Sequence, residues 1–269
     1  MNKSRPTDKL ILSHYEKIAD GHQLNPSSTM EDQFIRNSEI EFFVRSIRRY
    51  MLEKKKRDLT ILDLGCGNGY LLEQLRKEFP EINLYGLEFT PGLAQLAQSR
   101  EIENCYIINA DARDPYFLEK QFDIILSERV IINILIRKEQ RQAFREIHQR
   151  LKKGGLYLMS ESFDENLVQL NLARREMKLE DIVPRQHNLF LNENLIYFMR
   201  DRLNIVERSS VMDNNYLSNH FFVTRVTHQV IRPEGGKVKY SHLSRYFKNC
   251  YDRTYGNYSP IMFREFIKN

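Results

Sequence analysis

The sequence predicts an α/β protein built on a mostly parallel sheet, and three observations carry that expectation. From Leu59 onward, short apolar runs alternate with longer amphipathic ones. One apolar run ends in Asp63 and a glycine-rich turn, GCGNG, that leads straight into an amphipathic stretch. The next two apolar runs also finish at or beside a carboxylate, Glu88 and Asp111. Such alternation is how strands and crossover helices are written. Carboxylates at successive strand ends gather polar chemistry along one edge of the sheet.

The elements follow in order. EDQFIRNSEIEFFVRSIRRYM sets Ile40, Phe43, Ile47 and Tyr50 at helical spacing with Arg45, Arg48 and Arg49 off that face. It predicts an amphipathic helix within an N-terminal helical cap over residues 1–57. TILDLG, INLYGLE, NCYIINA, FDIILS and GLYLMSE read as five strands. GYLLEQLRKEF, PGLAQLAQSR and KEQRQAFREIHQRLKKGG read as the intervening helices, the last expected to stop at its basic residues and glycines. The stretch between Asp111 and Gln121 leaves room for only a brief helix. After Ser160 the alternation breaks, and residues 161–190 read as an insertion made of a helix and a polar loop. A helix, NENLIYFMRDRL, and a strand, NIVERSSV, restore the pattern before a second insertion over 212–258. The closing run, SPIMFREFIKN, alternates like an antiparallel edge strand. Residues 58–269 thus form the core, with both insertions expected as a lid over the carboxyl ends of the strands.

Composition bounds the function. With 269 residues and 41% hydrophobic content the chain can bury a sizeable core. Its apolar runs are far short of the ~20 residues of a membrane helix, and MNKSRPTDKL lacks the apolar centre of a secretory signal. Cys66, Cys105 and Cys250 show no CxxC spacing, which argues against a zinc knuckle or a disulfide framework and for a reducing, cytoplasmic setting. The net charge of +5 divides as roughly +4 over residues 1–57, −5 over 58–224 and +6 beyond. Basic flanks could attract an anionic acceptor or RNA, or merely keep the chain soluble.

The strongest motif is ILDLGCGNGYLLEQL. Gly65 and Gly67 permit positive φ and close backbone approach, and the helix that follows offers free N–H groups. Glu88 falls roughly 20 residues on, where a carboxylate can accept both ribose hydroxyls. In this pattern the chain resembles the class I S-adenosylmethionine-dependent methyltransferases, whose glycine motif reads hhDhGxGxG with h apolar. The resemblance covers roughly residues 58–160, and the GCGNG turn lacks the third glycine of a dinucleotide-binding GxGxxG. It implies a Rossmann-like seven-stranded, mostly parallel sheet with helices on both faces and S-adenosyl-L-methionine as cofactor. It also implies that Gly65, Cys66, Gly67 and Asn68 pack against the methionine part of the cofactor, with Asp63 near its amino group. Glu88 would hold the ribose, Asp111 the adenine amine, and the Ala112 N–H would lie near the ring.

In that family the exit of the fourth strand lies beside the transferable methyl, which brings Ser127, Glu128 and Arg129 to the site. Glu128 could act as a base, hold an acceptor amine or pair with Arg129; Arg129 could bind an acidic substrate or the cofactor carboxylate. Arg36 could reach the same carboxylate. His187, in PRQHNLF beside Asn188, could take a proton from a hydroxyl. Tyr216, Asn219 and His220 of the second insertion, with Tyr258, are candidate acceptor contacts. No [DN]PP[YFW] tetrapeptide or Pro-Cys pair follows the fourth strand, and no Asp/Asn metal cluster is apparent. The expected activity is methyl transfer to oxygen of a small polar molecule, sugar or glycan. The alternatives are an RNA methyltransferase and a catalytically silent cofactor-binding partner.

Overall fold

The computed structural model describes residues 6–22, 24–25, 30–114, 120–231, 241–242, 246 and 254–269. Two helices come first, α1 (Pro6–His22) and α2 (Gln33–Lys54). The core then runs β1 (Thr60–Leu64), α3 (Tyr70–Glu78), β2 (Asn83–Glu88), α4 (Pro91–Gln98), β3 (Cys105–Asn109), β4 (Phe122–Glu128), α5 (Arg137–Arg150) and β5 (Leu151–Ser162). It continues through α6 (Asp164–Glu176), α7 (Glu193–Leu203) and β6 (Ile205–Glu207). The short helices α8 (Val211–Asn214), α9 (Ser218–Phe222) and α10 (His228–Ile231) precede β7 (Ile261–Lys268).

The seven strands form one sheet in the order β3-β2-β1-β4-β5-β7-β6. β1 to β5 pair in parallel, and β7 runs antiparallel to both β5 and β6. All five residues of β1 and six of seven in β4 are buried, as central parallel strands covered on both faces must be. On one face Phe42, Phe43 and Ile47 of α2 and Leu72 and Leu75 of α3 pack over Ile124 and Leu126. On the other, Phe144 and Ile147 of α5 and Met199 of α7 pack over Ile125 and Tyr157. Each fully buried side chain of this kind contributes roughly 1.5–3 kcal/mol. The strand order reverses between β1 and β4, which is where an open α/β sheet leaves a crevice at its carboxyl edge.

Two expectations are corrected here. The helix before β5 does not run on to its glycines: α5 ends at Arg150, and Lys152 to Gly155 lie in β5. The register slips between Phe122↔Leu151 and Ile124↔Leu156, so these residues form a bulge, with Gly154 at φ 69° and Lys152 paired to Asp123 at 3.0 Å. A basic helix end and a basic bulge look alike in one dimension. The closing strand is not an edge either. β7 lies between β5 and β6, and its polar residues are buried in pairs: Arg264 with Glu193 and Glu207 at 2.6 Å each, and Glu265 with Arg49 and Ser46. Those charges imitate a solvated edge in the sequence.

The first insertion begins inside β5, which runs to Ser162, and holds α6 and the loop up to α7. In the second, residues 232–240, 243–245 and 247–253 lie outside the described residues, as does 115–119 of the segment after Asp111. Among the described residues no helix is long and apolar enough to cross a membrane.

Candidate active site

A cleft of about 1020 Å³, counted to its open mouth, sits at the carboxyl edge of β1, β2 and β4. Its floor is the glycine turn. Gly65, Gly67 and Gly69 all have positive φ, at 75°, 55° and 79°, and Gly65 and Cys66 donate their N–H groups to the Leu87 carbonyl at 2.6 and 3.0 Å. A Cβ on Gly65 would lie 2.3 Å from Val130 Cγ2. Its missing side chain therefore makes room for the loop after β4, a packing role the motif alone does not reveal. The Cys66 thiol lines the cleft, and burial pushes it well above its ordinary range, so it stays protonated.

Of the carboxylates that line the cleft, Asp63, Glu88 and Asp111 are in different states. Asp63 is 1% exposed, and its Oδ1 has no hydrogen-bond partner. Burial drives its carboxyl well above the usual range, Glu128 and Glu88 push the same way, and Arg36 opposes. An orphaned, buried carboxylate oxygen is costly unless something pairs with it. Glu88 accepts the N–H of Gly67 at 2.9 Å and of Thr90 at 2.8 Å, one on each oxygen. Burial raises its pKa and those N–H groups partly offset the rise. The Thr90 side chain and the Phe89 N–H also bond this carboxylate. Asp111 is engaged by Arg113, whose Nε lies 2.9 Å from both carboxylate oxygens and whose Nη2 is 2.6 Å from Oδ2.

Arg113 joins three elements. Its Nη1 also meets Asp8 of α1 at 2.9 Å and Glu139 of α5 at 2.5 Å. Burial works against its charge, but Asp111 and Asp8 more than restore it. Phe89 lies beneath the guanidinium, 5.8 Å from ring centroid to carbon. The cleft wall opposite the sheet is α1 itself, through Asp8, Ile11 and Tyr15. Glu16 of the same helix accepts the Gly92 N–H at 3.2 Å, and the Tyr15 hydroxyl accepts from Asn133 Nδ2 at 2.9 Å.

At the exit of β4 four ionisable side chains interlock. Arg36 of α2 reaches Glu128 at 2.6 Å, Arg129 pairs with the same Glu128 oxygen, and Arg129 Nε lies 3.1 Å from Glu39. Ser160 donates to Glu39 at 2.8 Å. Arg129 is a non-glycine residue at φ 56°, an uncommon conformation, fixed by its N–H bond to the Ser160 carbonyl at 2.7 Å. The turn swings the Arg129 side chain back toward α2. Burial raises Glu128, but Arg36 and Arg129 beside it more than compensate and hold its carboxyl below the ordinary range. Burial pushes Glu39 up to about 8, against Arg129 and with Glu128. Glu161, at the end of β5, accepts the N–H groups of Val130 and Ile131 at 2.9 Å and of Ile132 at 3.3 Å. It thereby caps the single helical turn Ile131–Asn133 that carries Asn133 into the cleft.

The cleft thus brings together Arg36, Asp63, Gly65, Cys66, Gly67, Asn68, Glu88, Asp111, Ala112, Glu128 and Arg129. The remaining candidates lie elsewhere. Ser127 is fully buried within β4 and bonds the Tyr157 hydroxyl at 2.8 Å, because its side chain points into the α5 layer. His187 stacks on His14 of α1 at 3.8 Å, outside the lining, and Asn188 follows it in the same loop, its N–H on the Arg185 carbonyl at 2.8 Å. His220 is buried against Asp32 at 3.0 Å, and Asp32 caps α2 through the Phe34 N–H. Tyr216 bonds Glu41 at 3.2 Å, Asn219 accepts the Tyr255 N–H at 3.1 Å, and Tyr258 packs on Phe222 with centroids 4.8 Å apart. These four brace α2 and the second insertion.

The sequence reading missed Tyr15, Arg113, Asn133, Glu39 and Glu161. Glu161 carried a usable signal, since like Glu128 it is a carboxylate ending an apolar run. Arg113 stood two residues from a carboxylate already singled out. Tyr15 and Asn133 had none.

Residues 61–155 match a family described as a methyltransferase domain. The chain is 24% identical over 216 residues to a malonyl-[acyl-carrier protein] O-methyltransferase of Bacillus cereus, covering 76% of this chain and 77% of that one. It is 26% identical over 145 residues to a ubiquinone/menaquinone biosynthesis C-methyltransferase of Campylobacter jejuni, covering 52% of this chain and 60% of that one. Its fold is that of the magnesium protoporphyrin IX methyltransferase of Synechocystis PCC 6803, solved with bound S-adenosylhomocysteine, at a TM-score of 0.60 and 12% identity over 97% and 99% of the two chains. Fold and glycine turn together define a class I methyltransferase. Over residues 61–155 the chain carries the methyltransferase domain of S-adenosylmethionine-dependent enzymes, and S-adenosylmethionine is its cofactor. The unpartnered Asp63 oxygen, and the Glu88 carboxylate beside it in the lining, fit that cationic, hydroxyl-rich molecule.

Proposed function

We propose that the protein transfers the methyl group to an oxygen of a small polar acceptor, and that this oxygen belongs to a carboxylate. The observation that carries the reading is the state of Glu128. Of the groups at the β4 end of the cleft, Glu128 is held below its ordinary range between two guanidinium groups, Arg129 is raised and stays charged, and burial raises the Tyr15 phenol. None of the three is poised to accept a proton near neutrality, and Glu39 and Glu161, raised by burial to about 8 and about 7, are fully buried and do not line the cleft. A hydroxyl acceptor would need such a base, whereas a carboxylate arrives already deprotonated. The Bacillus cereus relative, named for O-methylation of a malonyl group on a carrier protein, supports an oxygen acceptor.

S-adenosylmethionine supplies an electrophilic methyl carbon when bound. Asp63 pairs with the cationic part of the cofactor, Glu88 holds the ribose hydroxyls, and Asp111 and the Ala112 N–H meet the adenine. Arg129, with Asn133 and Tyr15 in the same lining, would hold and orient the acceptor carboxylate. Glu128 and Glu39 hold Arg36 and Arg129 in place and act through them. Residues 1–57 serve as the cap of a core spanning 58–269. The free thiols of Cys66 and Cys105 support a reducing, cytoplasmic setting.

The test uses tritium-labelled S-adenosylmethionine with a panel of small carboxylic acids and alcohols. Methyl esters release labelled methanol in mild alkali, while ethers and N-methyl groups do not. Alkali-labile label on an acid supports the reading; label that survives alkali overturns it.

A further inference from the structure

One charged cluster lies outside the cleft and takes no part in the chemistry above. His14 of α1 and His187 of the first insertion stack nearly parallel, with centroids 3.8 Å apart and planes 20° from each other. Tyr15 connects them to the cleft: its ring is 4.9 Å from His14 and 6.3 Å from His187, and its hydroxyl sits on Asn133 inside the lining. Lys17 follows His14 by three residues, on the same side of α1, and Arg185 precedes His187 by two. Both of these cations are exposed. Glu16, the carboxylate next to Lys17 in the chain, is turned away onto the Gly92 N–H. Two elements therefore bring four nitrogen-bearing side chains, all potential donors, to one spot, one ring away from the place where the acceptor must enter.

We infer that His14, Lys17, Arg185 and His187 form an anion-binding site that receives a second negatively charged group of the acceptor, a phosphate ester or a further carboxylate. The inference rests on the proposed transfer to an acidic acceptor and extends it, because an acceptor held at Arg129 by one anionic end would reach this cluster with the other. The electrostatics agree. Burial, then Arg185 and Lys17, lower the His14 pKa, and burial, His14 and Arg185 lower His187 to about 4. Every charge acting on the pair is positive, so it gains from any anion that arrives. A bound anion would draw protons onto the rings and turn two neutral imidazoles into charged donors.

The experiment follows the imidazole ring signals of His14 and His187 by NMR in protein labelled with nitrogen-15 histidine and saturated with S-adenosylhomocysteine. Inorganic phosphate and glutarate are titrated separately at constant, low ionic strength, since exposed charges are screened by salt. The expected result is a saturable shift of both rings with at least one anion and a rise in their pKa on binding. The tighter of the two anions identifies the acceptor's second group as phosphate or carboxylate. Lys17→Gln with Arg185→Gln, both at exposed positions, should weaken anion binding about tenfold, a loss of about 1.4 kcal/mol, and leave S-adenosylhomocysteine affinity unchanged. Linear, non-saturating shifts with both anions, or equal anion affinity in the double variant, overturn the inference. Failure of S-adenosylhomocysteine to bind would instead count against the cleft assignment.

Discussion

Glu128→Gln tests the charge cluster at the exit of β4. The substitution keeps shape and removes one negative charge from between Arg36 and Arg129, both almost fully buried. Removing one partner of a buried pair typically costs about 3–5 kcal/mol, because the remaining charge is left uncompensated. Here a second carboxyl stands in reserve. Glu39 is pushed up to about 8 by burial and by the neighbouring Glu128 charge, among other causes. With Glu128 neutral that repulsion disappears, Glu39 ionises more readily, and part of the loss is offset. The expected deficit at pH 7 is about 3 kcal/mol. It also depends on pH in a definite direction. In the wild type, folded Glu39 holds its proton above the unfolded pKa of 4.5, so stability falls as pH rises from there through about 8. The variant lacks most of that decline. Urea unfolding across pH 5 to 8.5 should therefore show the deficit shrinking as pH rises. A deficit below about 1 kcal/mol, or one that does not change with pH, would refute the coupling between Glu39 and Glu128. In turnover assays the same variant should lose kcat more than cofactor affinity, since its effect reaches the acceptor side through Arg129.

Other outcomes follow from the same geometry. Arg113→Met leaves Asp8, Asp111 and Glu139 facing one another and should weaken S-adenosylhomocysteine binding about tenfold, measured by calorimetry, with partial rescue by Arg113→Lys, which keeps charge but not the fork. Glu161, raised by burial to about 7, adds to the fall in stability between its unfolded pKa and about 7. Glu161→Gln should flatten that part of the pH profile and cost about 2 kcal/mol through lost bonds to the Val130–Ile132 N–H groups. Gly65→Ala places a Cβ against Val130 at positive φ and should destabilise by roughly 1–3 kcal/mol in thermal or urea unfolding. Adding Val130→Ala to it should rescue only part, because the backbone strain persists.

The sheet was legible because each core strand announces itself twice, by an apolar run and by the turn that ends it. The glycine turn and the carboxylates Asp63, Glu88 and Asp111 were legible for the same reason: they sit at fixed places relative to strand ends. What stayed hidden depends on contacts distant in the chain. Tyr15 reaches the cleft only because α1 folds across it, 118 residues from the Asn133 it bonds. Glu39 and Arg36 join Glu128 and Arg129 from another element. His220 looked like an acceptor ligand because polar clusters in loops resemble sites, whereas its ring is spent on the cap of α2. The end of the fourth strand pointed to Glu128 and Arg129, but their two partners from α2, Arg36 and Glu39, could not be read from that segment.

Calorimetric titration of S-adenosylhomocysteine into the wild type and Glu88→Ala tests most directly whether the cleft holds the cofactor. The wild type should show a single site, and the variant, with its fold confirmed by circular dichroism, should lose at least about tenfold in affinity, about 1.4 kcal/mol. Equal affinity in the two proteins would contradict the assignment of the cleft.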